Sequence, residues 1–174
     1  MKTVADYMTS IPDFPKKGII FRDVTSVLES PEGLALAIDG MNKALEGVEY
    51  DLIAGAESRG FIFGAPLAYM NKKGFIPVRK KGKLPRETVS ISYDLEYGSA
   101  EIEIHKDAVK PGDKVVLVDD LIATGGTMEA AAKLIEQLGG EVVKMVFLIE
   151  LSDLGGRKLL SKYNIESIIQ YEGE

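Results

Sequence analysis

Apolar residues recur along the chain in two rhythms that alternate. From Pro31 to Leu45 the positions Leu34, Ala37, Ile38, Met41 and Leu45 fall three or four apart, the spacing that lines one face of a helix. Ser30 stands where a cap belongs, and Pro31 suits a first helical turn. After Gly47 the run YDLIAGA predicts a short buried strand, FIFGAPLAYMNKKG a helix closed by Gly74, and FIPVRK a further strand. The rhythm then changes. KGKLPRET is polar, with Gly82 and Pro85, and leads into VSISYDLEYGSAEIEIH, two alternating stretches joined around Tyr97 and Gly98; this predicts an antiparallel insertion. A turn at Lys110 to Lys114 precedes a strand from Val115 to Val118. TMEAAAKLIEQLGG then predicts a helix with Met128, Ala131, Ala132, Ile135 and Leu138 on one face and Gly139 as its stop. EVVKMVFLIEL and IESIIQY are the last strands, with a short helix near Gly156 to Ser161 between them. Buried strands alternating with helices predict an α/β architecture on a mostly parallel sheet, with the ligand site beyond the carboxyl ends of the strands.

Composition narrows the chemistry. With 174 residues, 45% of them hydrophobic, the chain has the size of one compact domain with an ordinary core. It contains no cysteine, which excludes disulfides, thiolate metal sites and thiol nucleophiles and fits a reducing compartment. The formal net charge is −6, and the one dense basic cluster is RKKGK, Arg79 to Lys83. A nucleic-acid partner has little electrostatic support, whereas a small anion suits the cluster. The first residues lack the apolar core of a signal peptide, and no apolar run approaches the roughly 20 residues that span a bilayer. The expectation is a cytoplasmic protein with no membrane partner. His105, the one histidine, has no second histidine or cysteine with which to hold a metal and reads as structural.

The densest chemistry lies in VVLVDDLIATGGT, Val115 to Thr127. Two acids close an apolar strand, where adjacent side chains point different ways, so that one can face a ligand while the other is tied to the scaffold. Paired carboxylates there suit two neighbouring hydroxyls or a hydrated Mg²⁺. The small residues that follow open a helix, so backbone N–H groups can converge on an anion, with Thr124 and Thr127 adding hydroxyls. Diol and phosphate together describe a ribose 5-phosphate. No lysine follows the glycines, so the run is not a P-loop.

This run resembles the phosphoribosyl-pyrophosphate signature of the type I phosphoribosyltransferases. Four more stretches resemble the adenine-specific branch of that family: DFPKKGIIFRDVT, AGAESRGFIFG, RKKGKLPRET and YDLEYGSAEIEIHKDA. The resemblance covers nearly the whole chain. It implies a single type I phosphoribosyltransferase domain over residues 1–174, with a mostly parallel twisted sheet flanked by helices. A small N-terminal hood (1–30) and an antiparallel flexible-loop insertion (79–105) complete the expected fold.

The implied reaction joins adenine to phosphoribosyl pyrophosphate and releases AMP and pyrophosphate, with Mg²⁺ carried by the donor rather than held directly by the protein. By resemblance, Asp119 and Asp120 take the ribose hydroxyls and the Mg²⁺ region. Ala123, Thr124, Gly125, Gly126 and Thr127 take the 5′-phosphate. Arg59 belongs to a pyrophosphate loop with a cis peptide at Glu57–Ser58, and Arg79, Lys80 and Lys83 open the flexible loop. A homodimer is implied, in which Arg79 serves a neighbouring subunit's pyrophosphate. Glu96 is placed near N7 of the purine, and Tyr97 beside the closed loop or the ribosyl centre. Phe21 and Arg22 belong to the hood, where a ring stacks on the base. The expected catalytic residues are Glu96, Arg59, Lys83 and Tyr97. Two alternatives stay open: transfer to xanthine, hypoxanthine, guanine or orotate, and a regulator that senses phosphoribosyl pyrophosphate.

Overall fold

The computed structural model describes residues 1–95 and 97–172. After a 3-10 turn at Val4–Tyr7, strands β1 (Thr9–Pro12) and β2 (Ile20–Asp23) pair as an antiparallel ribbon, followed by helices α1 (Val24–Leu28) and α2 (Pro31–Lys43). Then come β3 (Leu52–Ala56), α3 (Arg59–Met70), β4 (Gly74–Lys80), β5 (Thr88–Asp94), β6 (Ser99–His105) and β7 (Lys114–Ile122). The chain continues through α4 (Gly126–Gln137), β8 (Glu141–Leu151), a 3-10 turn, α5 (Gly156–Leu159) and β9 (Ile165–Tyr171). The main sheet runs in the order β5-β6-β4-β3-β7-β8-β9. Its β4-β3-β7-β8-β9 part is parallel, and the β5-β6 hairpin joins β4 antiparallel. The predicted mostly parallel sheet and antiparallel insertion are present, and the small β1-β2 ribbon lies in the segment expected to form the hood.

Helices cover both sheet faces because β7 alternates. Val115 and Leu117 pack with α4 residues such as Ala131 and Ile135, and Val116 and Val118 with α2 and α3 residues such as Met41 and Phe63. Each Val, Leu, Ile, Met or Phe side chain fully buried in this way stabilises the fold by about 1.5–3 kcal/mol before entropy is counted. Ser30 caps α2 by accepting from Gly33 N at 3.1 Å, and Pro31 is its first residue, as the sequence predicts. Gly139 ends α4 with φ +88°, and Gly140 N donates back to Ile135 O.

Gly74 does not close α3 as predicted. The helix ends at Met70, and Lys72 takes the left-handed conformation (φ 55°), with Lys72 N donating to Tyr69 O and Lys73 N to Ala68 O. That pair of bonds satisfies the last carbonyls and leaves Gly74 free to begin β4. Among the described residues no helix is long and apolar enough to cross a membrane.

Candidate active site

The strand carrying the two acids is longer than its apolar run. Its pairing with β3 stops at Val118, but its pairing with β8 continues to Ile122. Asp119 and Asp120 therefore lie within β7, not after it as predicted, in a stretch paired on one side only. Backbone pairing with β8 holds the acids, while β3 ends at Ala56 and turns through Glu57 and Ser58 into α3.

The two carboxylates diverge. Asp120, 4% exposed, accepts from Arg59 Nε at 2.5 Å, so the second acid is tied to the first residue of α3. Asp119 Oδ1 accepts from Asp120 N at 2.8 Å, and its side chain lines the cavity of the following loop. Burial, with Asp120 beside it, pushes the Asp119 carboxyl well above the usual carboxylate range. The Asp120 hydrogen bond raises the Arg59 guanidinium. Gly60 is part of this packing: a Cβ there would stand 3.0 Å from Asp119 Oδ1 and 3.1 Å from Val118 O.

Beyond β7, Ala123 to Thr127 wrap a cavity of about 180 Å³ that Asp119 also lines. The first-turn N–H groups of α4 have no intrahelical acceptors and carry the positive end of the helix dipole, so the loop is built to receive an anion. Gly125 caps α4 with φ +87°, and Gly156 backbone atoms lie 3.2 Å from where its Cβ would be. Gly156 is tighter still: a Cβ there would stand 2.4 Å from Ala123 O and 2.7 Å from Ile122 Cγ1. The start of α5 is thus pressed against the back of the loop. Arg157 holds it there, donating from Nε (2.9 Å) and Nη2 (2.6 Å) to the buried Glu150 at the end of β8. From the hairpin, the Tyr93 hydroxyl meets Thr127 Oγ1 at 3.0 Å.

A second cavity, of about 300 Å³, opens on the other side of Asp120 beneath the β1-β2 ribbon. Phe14, Phe21, Arg22, Arg59 and Leu121 line it along with Asp120. Phe21 meets Phe14 edge to face at 5.2 Å, and both rings are partly exposed, so an apolar wall is available to a planar guest. Arg22 sits 4.0 Å over the Tyr171 ring and donates to Ser10 Oγ, which turns its charge toward the scaffold.

The Glu57–Ser58 peptide is cis, as the resemblance implies. Glu57 Oε1 accepts from Lys80 N at 2.5 Å, and Oε2 meets Arg79 Nη2 at 3.4 Å. Burial pushes Glu57 up, but the Lys80 N–H and Arg79 outweigh it and hold the carboxyl below its usual range. Arg79 Nη1 also donates to Lys83 O at 3.4 Å, while the Lys83 side chain is exposed. The structure therefore brings Arg59, Asp119, Asp120 and Ala123 to Thr127 together at one sheet edge, with Phe21 and Arg22 across the second cavity. Arg79, Lys80 and Lys83 flank the Glu57 turn. Tyr97, 81% exposed, stands at the hairpin tip away from these contacts, and Glu96 lies outside the described residues.

Sequence reading missed the contacts of the Glu57 carboxylate, and it missed Gly60, Tyr93, Gly156 and Arg157. Gly60 and Glu57 lie in the ESRG stretch already singled out, so their signal was available. Tyr93 is one of two tyrosines in the hairpin run, and nothing local separates it from Tyr97. Gly156 and Arg157 act through packing between distant segments that carry no motif.

A phosphoribosyl transferase domain model matches residues 23–173. The chain is 68% identical, over the full length of both proteins, to the adenine phosphoribosyltransferase of Agathobacter rectalis. It is 63% identical to that of Lachnoclostridium phytofermentans, again over both full lengths. The crystal structure of adenine phosphoribosyltransferase from Thermoanaerobacter pseudethanolicus matches with a TM-score of 0.92 at 56% identity, covering 97% of this chain and 98% of that one. The Saccharomyces cerevisiae enzyme, complexed with D-2,5-dideoxy-2,5-imino-altritol 1,6-bisphosphate and adenine, matches at 0.88 with 40% identity, covering 95% and 96%.

Proposed function

The chain belongs to the phosphoribosyltransferase family, and from that premise we infer that it transfers the 5-phosphoribosyl group of phosphoribosyl pyrophosphate to adenine, forming AMP and pyrophosphate. The observation that carries this reading is the divergence of Asp119 and Asp120. Asp119 lines the cavity wrapped by Ala123 to Thr127 at the start of α4, and its neighbour lines a cavity with an aromatic wall. A ribose bound at the two acids would hold its 5′-phosphate in the first cavity and present its anomeric carbon toward a base in the second.

The transfer breaks the bond between the anomeric carbon and the pyrophosphate oxygen and forms one to N9 of adenine. Positive charge grows on the ribosyl group and negative charge on the departing pyrophosphate, so the protein has to align the reactants and stabilise both charges. The α4 N-terminus with Thr124 and Thr127 fixes the 5′-phosphate. Asp119 and Asp120 receive the ribose hydroxyls. Because Asp120 takes Arg59 Nε, both Nη groups remain available to pyrophosphate oxygens. Lys83, on the segment after β4, closes over the leaving group and excludes water, while Arg79 and Lys80 stand at the end of β4 from which that segment starts. Phe21 stacks on adenine. Glu96 moves the proton at N7, and Tyr97 joins the closed loop.

Mg²⁺ fits the donor set as a hydrated, substrate-borne ion. Asp119 and Asp120 offer two carboxylates to its water shell. When bound, the ion would neutralise pyrophosphate charge. A homodimer is supported by the outward face of α3, where Ile62, Ala65, Tyr69 and Met70 form an exposed stripe at helical spacing. In that dimer Arg79 serves the partner's pyrophosphate. The protein works in purine salvage in the cytoplasm, a setting that suits its cysteine-free composition.

The test is a chromatographic assay with phosphoribosyl pyrophosphate, Mg²⁺ and equal adenine, hypoxanthine, guanine, xanthine and orotate, with and without chelator. AMP should dominate and should disappear with chelator. A different nucleotide would leave the donor site standing and overturn the assignment of the base cavity.

A further inference from the structure

Glu103 is a buried carboxylate that none of the foregoing chemistry uses. It lies on β6 with 4% of its surface exposed, beneath the exposed segment Lys81 to Glu87 that joins β4 to β5. Among the described residues no cation pairs with it. Its Oε1 accepts from the backbone N–H groups of Gly82 (3.1 Å) and Leu84 (3.2 Å), and its Oε2 accepts from Thr88 Oγ1 (3.2 Å). Two amides separated by one residue and converging on one oxygen form a concave anion seat, here filled by the protein's own carboxylate. The residue between those amides is Lys83.

The neighbouring positions on the same face of β6 continue the pattern. Lys81 Nζ pairs with Glu101 at 2.9 Å, and Arg86 N donates to His105 Nε2 at 3.4 Å. Among these three acceptors, Glu103 takes the bonds that bracket Lys83. From Lys83 the connection runs on through its carbonyl to Arg79 and from Arg79 to Glu57, beside the turn that carries Arg59.

We propose that Glu103 is a positioning residue for phosphoribosyl pyrophosphate: by seating the Gly82 and Leu84 amides it fixes where Lys83 and its Arg79 contact stand when the donor binds. This inference rests on the reading of the enzyme as a phosphoribosyltransferase and on the role given to Lys83. An alanine at 103 leaves two loop amides with no acceptor and frees the segment. Glutamine keeps the carbonyl oxygen that both amides require.

The experiment compares wild type, Glu103→Gln and Glu103→Ala in steady-state kinetics and in amide hydrogen exchange at Gly82 and Leu84. Glu103→Ala should lose exchange protection at both amides and raise the KM for phosphoribosyl pyrophosphate by roughly tenfold or more. The adenine KM should stay within about twofold, and glutamine should restore most of both readouts. Adding Lys83→Ala to Glu103→Ala should worsen the donor KM little beyond Lys83→Ala alone, because both changes remove one interaction. Unchanged protection, or lost protection with an unchanged donor KM, would overturn the proposal. So would an equal rise in both KM values. If Glu103→Ala does not fold, a glutamine variant with wild-type protection but a tenfold weaker donor KM would overturn it equally. Failure of the underlying reading would show separately, as absence of AMP formation by the wild type.

Discussion

Replacing Gly156 by alanine tests whether the start of α5 supports the phosphate loop. The added Cβ would lie 2.4 Å from Ala123 O and 2.7 Å from Ile122 Cγ1. About 1 Å of separation must open, since attractive contacts lie at roughly 3.5 Å. On the α5 side, movement is resisted by the two Arg157–Glu150 hydrogen bonds and by Arg157 Nη1 on Ile165 O (3.2 Å). On the other side, Ala123 to Gly125 border an open cavity, so the loop is the part that yields. The fold should lose about 1–3 kcal/mol, the usual cost of overpacking. At this chain length that lowers Tm by about 2–4 °C per kcal/mol. The functional loss should be larger, because a 1 Å displacement of a positioning element costs on the order of a hundredfold in rate.

Initial rates with donor and adenine varied in turn, alongside melting curves with and without phosphoribosyl pyrophosphate, separate the two effects. The expected result is a fall in kcat/KM for the donor and a smaller donor-induced rise in Tm. Gly155→Ala is the control: its φ of +78° makes any side chain strained, but nothing lies within 4 Å of the added Cβ. It should cost stability and leave donor kinetics near native. A Gly156→Ala enzyme with lowered Tm but native donor kinetics would refute the support role, since the strain would then have been absorbed away from the loop.

Three further outcomes follow from contacts at the site and near it. Tyr93→Phe removes the 3.0 Å contact with Thr127 and should cost about 0.5–1.5 kcal/mol of donor affinity, read by calorimetry; unchanged affinity would make the contact incidental. Phe21→Ala should raise the adenine KM by about tenfold, the scale of one lost aromatic contact, and leave the donor KM unaltered; a shift in the donor KM instead would move Phe21 out of the base cavity. Arg157→Ala leaves Glu150 buried without its cation and should cost about 2–3 kcal/mol, below the value for a fully buried pair because Arg157 is half exposed. Arg157 holds the Glu150 carboxyl below its ordinary value of 4.5. The stabilisation is therefore complete above pH 4.5 and fades as pH falls through the lower folded value. The Tm gap between wild type and variant should narrow in acid, and a constant gap would show that the pairing is not its source.

How much of this was legible in the sequence depended on the range of the interaction. Helix α2 and its cap were readable because Ser30, Pro31 and the apolar spacing all act within a few residues. The hairpin was readable for the same reason. The end of α3 was misread because Gly74 is the stronger turn signal, whereas the backbone closed the helix on Lys72 through bonds that no side chain announces. The extent of β7 was missed because an acid pair looks like the end of a strand, and only pairing with β8 shows that it is not. At the site, the phosphate loop stood out as a contiguous run, while Asp120 on Arg59 joins residues 61 positions apart. Gly156 against Ala123 requires two segments to be folded before the glycine has a reason.

These distant contacts share one feature that bears on how an acidic protein holds an anionic donor. Asp120 holds Arg59, Glu57 holds Arg79 and the Lys80 amide, and Glu103 holds the amides on either side of Lys83. In each case a carboxylate fixed on the scaffold holds a cation, or the backbone beside one, that the proposed mechanism directs at the phosphates. Orientation of this kind is useful only if it leaves binding capacity over, and the choice of arginine at 59 shows how. A guanidinium gives Asp120 its Nε and keeps two Nη groups for pyrophosphate in a fixed plane. A lysine would offer one ammonium to both, so the carboxylate that positions it would also compete for it. The net charge of −6 is therefore compatible with a phosphate site, because at this edge the carboxylates act as the frame on which the cations are aimed.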